Sequence, residues 1–142
     1  HDSYPKRRGM TRVPELLAAG VNVAFGHDCV MDPWYSLGSG DMLEVAHMGL
    51  HVAQMTSQAG MRQCFDAVTV NAAKVMGLGG YGIAAGQDAS FVLLQARDPI
   101  EAIRLRATRL KVWRKGQLLS DMAPATARLT LPGRPGSTAF IR

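Results

Sequence analysis

The sequence predicts an α/β fold, an α/β barrel or a doubly wound sheet, and two observations carry that expectation. Residues 11–34 run as helix, glycine, apolar strand and polar loop, the rhythm of chains that lay helices against a mostly parallel sheet. Near Gly79-Gly80 the character then changes from helical periodicity to short, Gly-bounded, strand-like runs. The 142 residues can bury a real core, but they fall well short of the roughly 250 residues that a complete (β/α)8 barrel uses.

Each element has a local reason. TRVPELLAAG (11–20) reads as a short helix, with Thr11 as N-cap, Pro14 tolerated in the first turn and Gly20 as the stop. VNVAFG (21–26) is a nearly continuous apolar run, as expected of a buried parallel strand. After the loop DPWYSLGSG (32–40), residues 41–56 trace a helical period through Leu43, Ala46, Leu50, Ala53 and Gln54, with Asp41 as N-cap. Residues 62–78 predict two more short helices, the second capped by Thr69. Residues 81–96 read as a turn and strand, 99–107 as a short helix, and 110–120 as a hairpin about Lys115-Gly116. The Pro- and Gly-containing tail from Pro124 is expected to be extended or loose, and there is no internal repeat or low-complexity block.

The composition, 47% hydrophobic and 19% charged, is that of an ordinary globular protein. No window approaches the ~18 apolar residues of a membrane span, and HDSYPKRRGM has no apolar signal-peptide core behind it. The start without Met suggests a piece of a longer protein. Cys29 and Cys64 lack CxxC spacing, so a reducing cytoplasm is the expected setting. The net charge of +5 comes partly from KRR (6–8) and from residues dispersed between Arg97 and Lys115. No aromatics interleave with these charges, so neither nucleic acid nor membrane is expected as a partner. A homo-oligomer is.

In parallel α/β folds, chemistry gathers beyond the carboxyl ends of the strands. His27-Asp28-Cys29 follows such an end. Asp28 could bind a metal, shuttle a proton or cap a turn. Cys29 could be a nucleophile or an inert packing group, with no base identifiable beside it. Adjacent residues leaving a strand point opposite ways, so if Asp28 faces a site, His27 faces away as a supporting group. Trp34, after Pro33, could be a stacking lid or an ordinary core residue. Glu44, His47 and His51 share one helix face, but the Glu of HExxH is missing, and two ordinary histidines are the simpler reading. The glycine-rich runs lack the phosphate-binding pattern GxxxxGK[ST], and neither GxSxG nor the HxE…PCxxC set of zinc-dependent nucleobase deaminases occurs.

GHD after a strand, TVNAAKVMGL, and YGIAAGQDASFVLL together resemble the last third of the amidohydrolase superfamily. More narrowly, HDSYPKRRG, GHD-x-V-x-DPWY-x-LG and HMGLHV resemble bacterial cytosine deaminase of the barrel type. Ala89-Ser90 replaces the usual Ala-Asp before the last of these strands. The resemblance implies the C-terminal part of a (β/α)8 metal-dependent hydrolase barrel: residues 1–80 would supply the eighth strand and following helices, and 81–142 strands of a small β-sandwich domain. It implies one divalent metal, Fe2+ or Zn2+, with Asp28 as ligand and proton shuttle and Trp34 against the base. The implied reaction is hydrolytic deamination of cytosine or 5-methylcytosine at C4, releasing ammonia. Members of this type usually carry a second acidic residue after the ligand Asp, whereas this chain has Cys29, an uncharged wall that should tolerate a 5-methyl group. The family's HxH pair and its other His and Glu ligands do not occur here. The remainder of the same polypeptide is therefore expected to supply them. Rival expectations are another heterocycle (isoguanine, creatinine, a triazine) or an inactive interaction module.

Overall fold

The computed structural model describes residues 9–136; the basic run at 6–8, the start of the HDSYPKRRG motif and the end of the tail lie outside the described residues. Helix α1 (Val13–Ala18) carries Pro14 in its first turn, where the missing N–H costs nothing. Its N-cap position belongs to Arg12 and not to Thr11, and no side chain caps it. Arg12 instead reaches forward to pair with Glu15 (Nε–Oε1 2.8 Å). Gly20 (φ 78°) ends the helix in a backbone region that favours glycine, as the sequence predicts.

Residues 21–26 are not a strand, which corrects the expectation. A parallel strand exists only through its ladder to neighbouring strands, and among the described residues none runs beside this segment. It is tied to helices instead. Phe25 N–H donates to the Ala67 carbonyl (3.0 Å), and the Asn71 side-chain amide donates to the Val23 carbonyl (3.1 Å).

Helix α2 (Met42–Val52) has the expected cap: Asp41 Oδ1 accepts from Leu43 N (2.7 Å) and Glu44 N (3.2 Å). Leu43, Ala46 and Leu50 form its buried stripe. The helix stops short of residue 56 because Gln54 takes φ 56° and Met55 N–H closes on Leu50 O at 2.8 Å, so Gln54 is not part of the helical stripe. Helix α3 (Gln58–Ala67) begins four residues before the expected 62, since Ser57 supplies a cap to Gly60 N (3.0 Å). Thr69 precedes α4 (Val70–Val75) but does not cap it with its side chain. Its hydroxyl donates back to the Phe65 carbonyl (2.8 Å), the competing bond that Thr makes at a helix end.

Strands β1 (Phe91–Leu94), β2 (Arg109–Arg114) and β3 (Gln117–Asp121) form an antiparallel sheet in the order β1-β2-β3. Between β1 and β2 lies α5 (Pro99–Leu105), capped by Asp98 (Glu101 N, 2.8 Å). Lys115 (φ 48°) and Gly116 (φ 80°) make the β2–β3 turn, the two-residue hairpin geometry that matches strand twist. The core sits where α2, α3 and α5 meet, with Ala46, Cys64 and Ile103 fully buried. Among the described residues no helix is long and apolar enough to cross a membrane.

Candidate active site

The stretch from Gly26 to Gly40 has no regular structure, so side-chain and turn chemistry must hold it. The chain reverses at Asp28, whose φ is 66°, with Cys29 N–H donating to the His27 carbonyl at 2.9 Å. An i→i+2 bond across a residue of positive φ is the rarer, strained γ-turn, with Asp28 at its centre. Local strain of this kind concentrates at functional sites. The turn leaves Asp28 exposed while His27 and Cys29 are half-buried. The His27 imidazole turns inward, with Nδ1 buried and without a hydrogen-bond partner.

Asp32 then organises the loop. Its Oδ1 accepts from Trp34 N (2.9 Å) and Tyr35 N (3.0 Å), an Asx turn of the kind that Asp before Pro favours. The Tyr35 N–H above all holds the Asp32 carboxyl below the usual carboxylate range, with smaller help from the Cys29 thiol and the Trp34 and Val30 amides. The same thiol is pushed up to about 11, first by its hydrogen bond to Asp32, then by burial and by the Asp28 charge. These surroundings disfavour the thiolate, the reactive form of a cysteine, at Cys29. The loop returns over Cys29 at Gly38, where an added Cβ would stand 2.0 Å from the Cys29 carbonyl oxygen; only glycine fits. Trp34 is 90% exposed. Asp32 and Gly38 were not singled out from sequence, although the DPW and LGSG runs are the signals that carry them.

A groove of about 420 Å³ lies beside this loop, between residues 23–27 and α2. Its walls are mainly apolar (Val23, Phe25, Val45, Met48, Val52), and His27 and Tyr35 border it, but Asp28, Cys29 and Trp34 do not. The Phe25 ring sits on Gly49, where a Cβ would come within 2.6 Å of it. On the other side of α2, His47 and His51 meet edge-to-face at 4.8 Å. Glu44 is engaged by the Ser39 hydroxyl. Among the described residues no group of three or more His, Cys, Asp or Glu is gathered as a metal site. The donors present thus do not amount to a metal centre: Asp28 offers one exposed carboxylate oxygen ligand, and a lone carboxylate does not hold a catalytic metal.

Residues 1–120 match the amidohydrolase family, and the chain belongs to it. The chain is similar to N-isopropylammelide isopropyl amidohydrolase of Pseudomonas sp. strain ADP, at 31% identity over 75% of this chain and 27% of that protein. It is also similar to pterin deaminase of Rhizobium rhizogenes, at 31% identity over 84% of this chain and 27% of that protein. Among solved structures it resembles 5-methylcytosine deaminase from Klebsiella pneumoniae liganded with 5-fluorocytosine, with a TM-score of 0.83, 41% identity, and coverage of 90% of this chain and 31% of the other. The chain spans about a third or less of the length of each of these proteins.

Proposed function

We propose that the intact protein carrying this chain hydrolytically deaminates a free pyrimidine base, with 5-methylcytosine accepted beside or ahead of cytosine. The observation that carries the reading is the 41% identity over 90% of the chain with a 5-methylcytosine deaminase, together with a neutral thiol at Cys29 next to Asp28. In this reading residues 1–80 end a (β/α)8 barrel, with 21–26 at the place of its last strand once neighbouring strands supply the ladder, and 81–142 belong to a small β-sandwich domain. The remainder of the same polypeptide flanks the apolar groove and supplies the other metal ligands.

Asp28 would hold the divalent metal, iron or zinc, which when bound lowers the pKa of water toward neutrality. Asp28 would orient the attacking water and take its proton as the C4–O bond forms; of the two water protons one ends on ring N3 and the other on the amino group, which leaves as ammonia as the C4–N bond breaks. Trp34 packs on the base as a flat wall, which requires it to be covered in the intact protein. Cys29 would face the base near the reacting amino group in the intact protein, where an uncharged, polarisable sulfur gives room to a 5-methyl substituent. His27 would act as a supporting group beside Asp28.

The test is kcat/KM for cytosine and 5-methylcytosine with the intact protein and with Cys29→Asp. The substitution is expected to shift the ratio toward cytosine by about tenfold or more, the range one methyl group decides in a fitted pocket. An unchanged ratio would sink the role given to Cys29. The similarity to pterin deaminase and to N-isopropylammelide isopropyl amidohydrolase favours a second reading, turnover of another heterocycle. A panel of isoguanine, creatinine, pterin and triazine substrates decides between the two.

A further inference from the structure

We propose that Arg109 is a positioning residue for the 29–40 loop, acting from the antiparallel sheet through the N-cap of α2. The inference rests on the reading of that loop as the substrate loop only for its kinetic arm.

The loop from Asp28 to Asp41 contains no helix or strand, so beside the Asp32 turn within it, its placement depends on what holds its two ends. The near end is the Asp28 turn, and Gly38 passes directly over the Cys29 carbonyl. The far end is a closed set of polar contacts. Asp41 N–H donates to Ser39 Oγ (3.2 Å), and the Ser39 hydroxyl donates to the Glu44 carboxylate. Asp41 Oδ1 in turn accepts from Leu43 N and Glu44 N. Onto this set comes one residue from 68 positions away: Arg109 places Nη1 3.1 Å from Asp41 Oδ2, and its Nη2 donates to Asp41 Oδ1. Both oxygens of one carboxylate therefore meet both arms of one guanidinium, the fork geometry that fixes orientation as well as charge. The pair is half-buried, with side chains 34% and 27% exposed, so water screens it less than an ordinary surface pair.

The fold goes to some length to bring Arg109 there. Helix α5 ends at Arg106 in the left-handed region (φ 46°), and Ala107 is buried with its N–H on the Ala102 carbonyl (2.9 Å). The β1–β2 register shifts between Leu93 and Leu94, and Leu94 is the residue opposite Arg109. An irregularity of this kind re-aims the facing side chain. Because α2 and α5 share the Ile103 core, the guanidinium approaches Asp41 from a rigid base. Burial works against ionisation of Asp41, but Arg109 and the Glu44 and Leu43 amides outweigh it and hold the carboxyl below its usual range. The pair is therefore ionic throughout the neutral range. Asp41 caps α2 without help, as Asn or Ser would; the second oxygen and the fork are needed only to fix where the cap, and the loop end attached to it, sits.

Hydrogen exchange read by mass spectrometry on the intact protein tests this without any substrate. In Arg109→Gln, amides of residues 29–41 are expected to exchange about tenfold faster, the factor associated with losing a charge-assisted hydrogen bond. Peptides from α3 should be unchanged. Arg109→Lys should restore part of the protection, since it keeps the charge but not the fork. Asp41→Asn keeps a capping side chain while weakening the ion pair, and should reproduce the Arg109→Gln pattern; it carries the test if Arg109→Gln does not fold. On whichever heterocycle the protein turns over, KM should rise several-fold with kcat nearly kept. Unchanged exchange in 29–41, or faster exchange spread equally through α3, would overturn the proposal. A protein that deaminates none of the bases yet shows the local exchange change would overturn the proposed function and leave this inference standing.

Discussion

At the level of single residues, Asp28 and Cys29 differ in their surroundings as much as in their chemistry. One carboxylate stands exposed on a strained turn; its neighbour is a thiol held by Asp32. Because the Cys29 thiol is pushed up to about 11, it is protonated well past neutrality. Alkylation of Cys29 by iodoacetamide should therefore be slow at neutral pH and rise about tenfold per pH unit towards that value, as expected when only thiolate reacts. Peptide mass spectrometry across a pH series reads this directly. Rapid labelling at neutral pH with an early plateau would mean an activated cysteine and would favour the nucleophile reading. The acidic partners that raise the thiol, Asp28 and Asp32, were visible in sequence. The hydrogen bond between Cys29 and Asp32 was not, because it depends on how a loop without regular structure folds back.

At the level of elements, local chemistry proved the most readable. The Asp41 cap, the Gly20 stop and the Lys115-Gly116 hairpin each follow from a few adjacent residues with fixed backbone preferences. What failed needed information from further away. Residues 21–26 have strand composition, but a strand is a relation between neighbours, and apolar residues alone do not provide the ladder. Thr69 has two uses for one hydroxyl, and the carbonyl of Phe65 won. The meeting of α2, α3 and α5 was likewise not legible, since Ile103 lies far from Ala46 in sequence. That meeting point should dominate the stability of the described residues. Ile103→Ala is expected to cost ~2–5 kcal/mol, since it removes a fully buried side chain from a packed site. Thermal unfolding should show a clear drop in midpoint; a midpoint close to that of the unsubstituted protein would mean this core is not the one that holds the helices together.

For the molecule as a whole, the chain belongs to the amidohydrolase family and spans about a third or less of the relatives it matches. Its surface agrees with a part that packs against more protein: Leu37, Ile83 and Leu131 are 74%, 92% and 65% exposed, and the groove along Phe25 and Val45 is apolar. Exposed apolar area on this scale marks surfaces that normally meet something. One candidate ligand, Asp28, was legible in the sequence; a coordination sphere is assembled in space from distant segments, and among the described residues no group of three or more His, Cys, Asp or Glu gathers. The decisive measurement is ammonia release from 5-methylcytosine and cytosine by the intact, metal-loaded protein, beside Asp28→Asn. Deamination with kcat lowered about 10²–10⁴-fold in Asp28→Asn, the range for losing a positioned acid–base group, is the expected result. Full activity in Asp28→Asn, or no ammonia from either base with the unsubstituted protein, would contradict it.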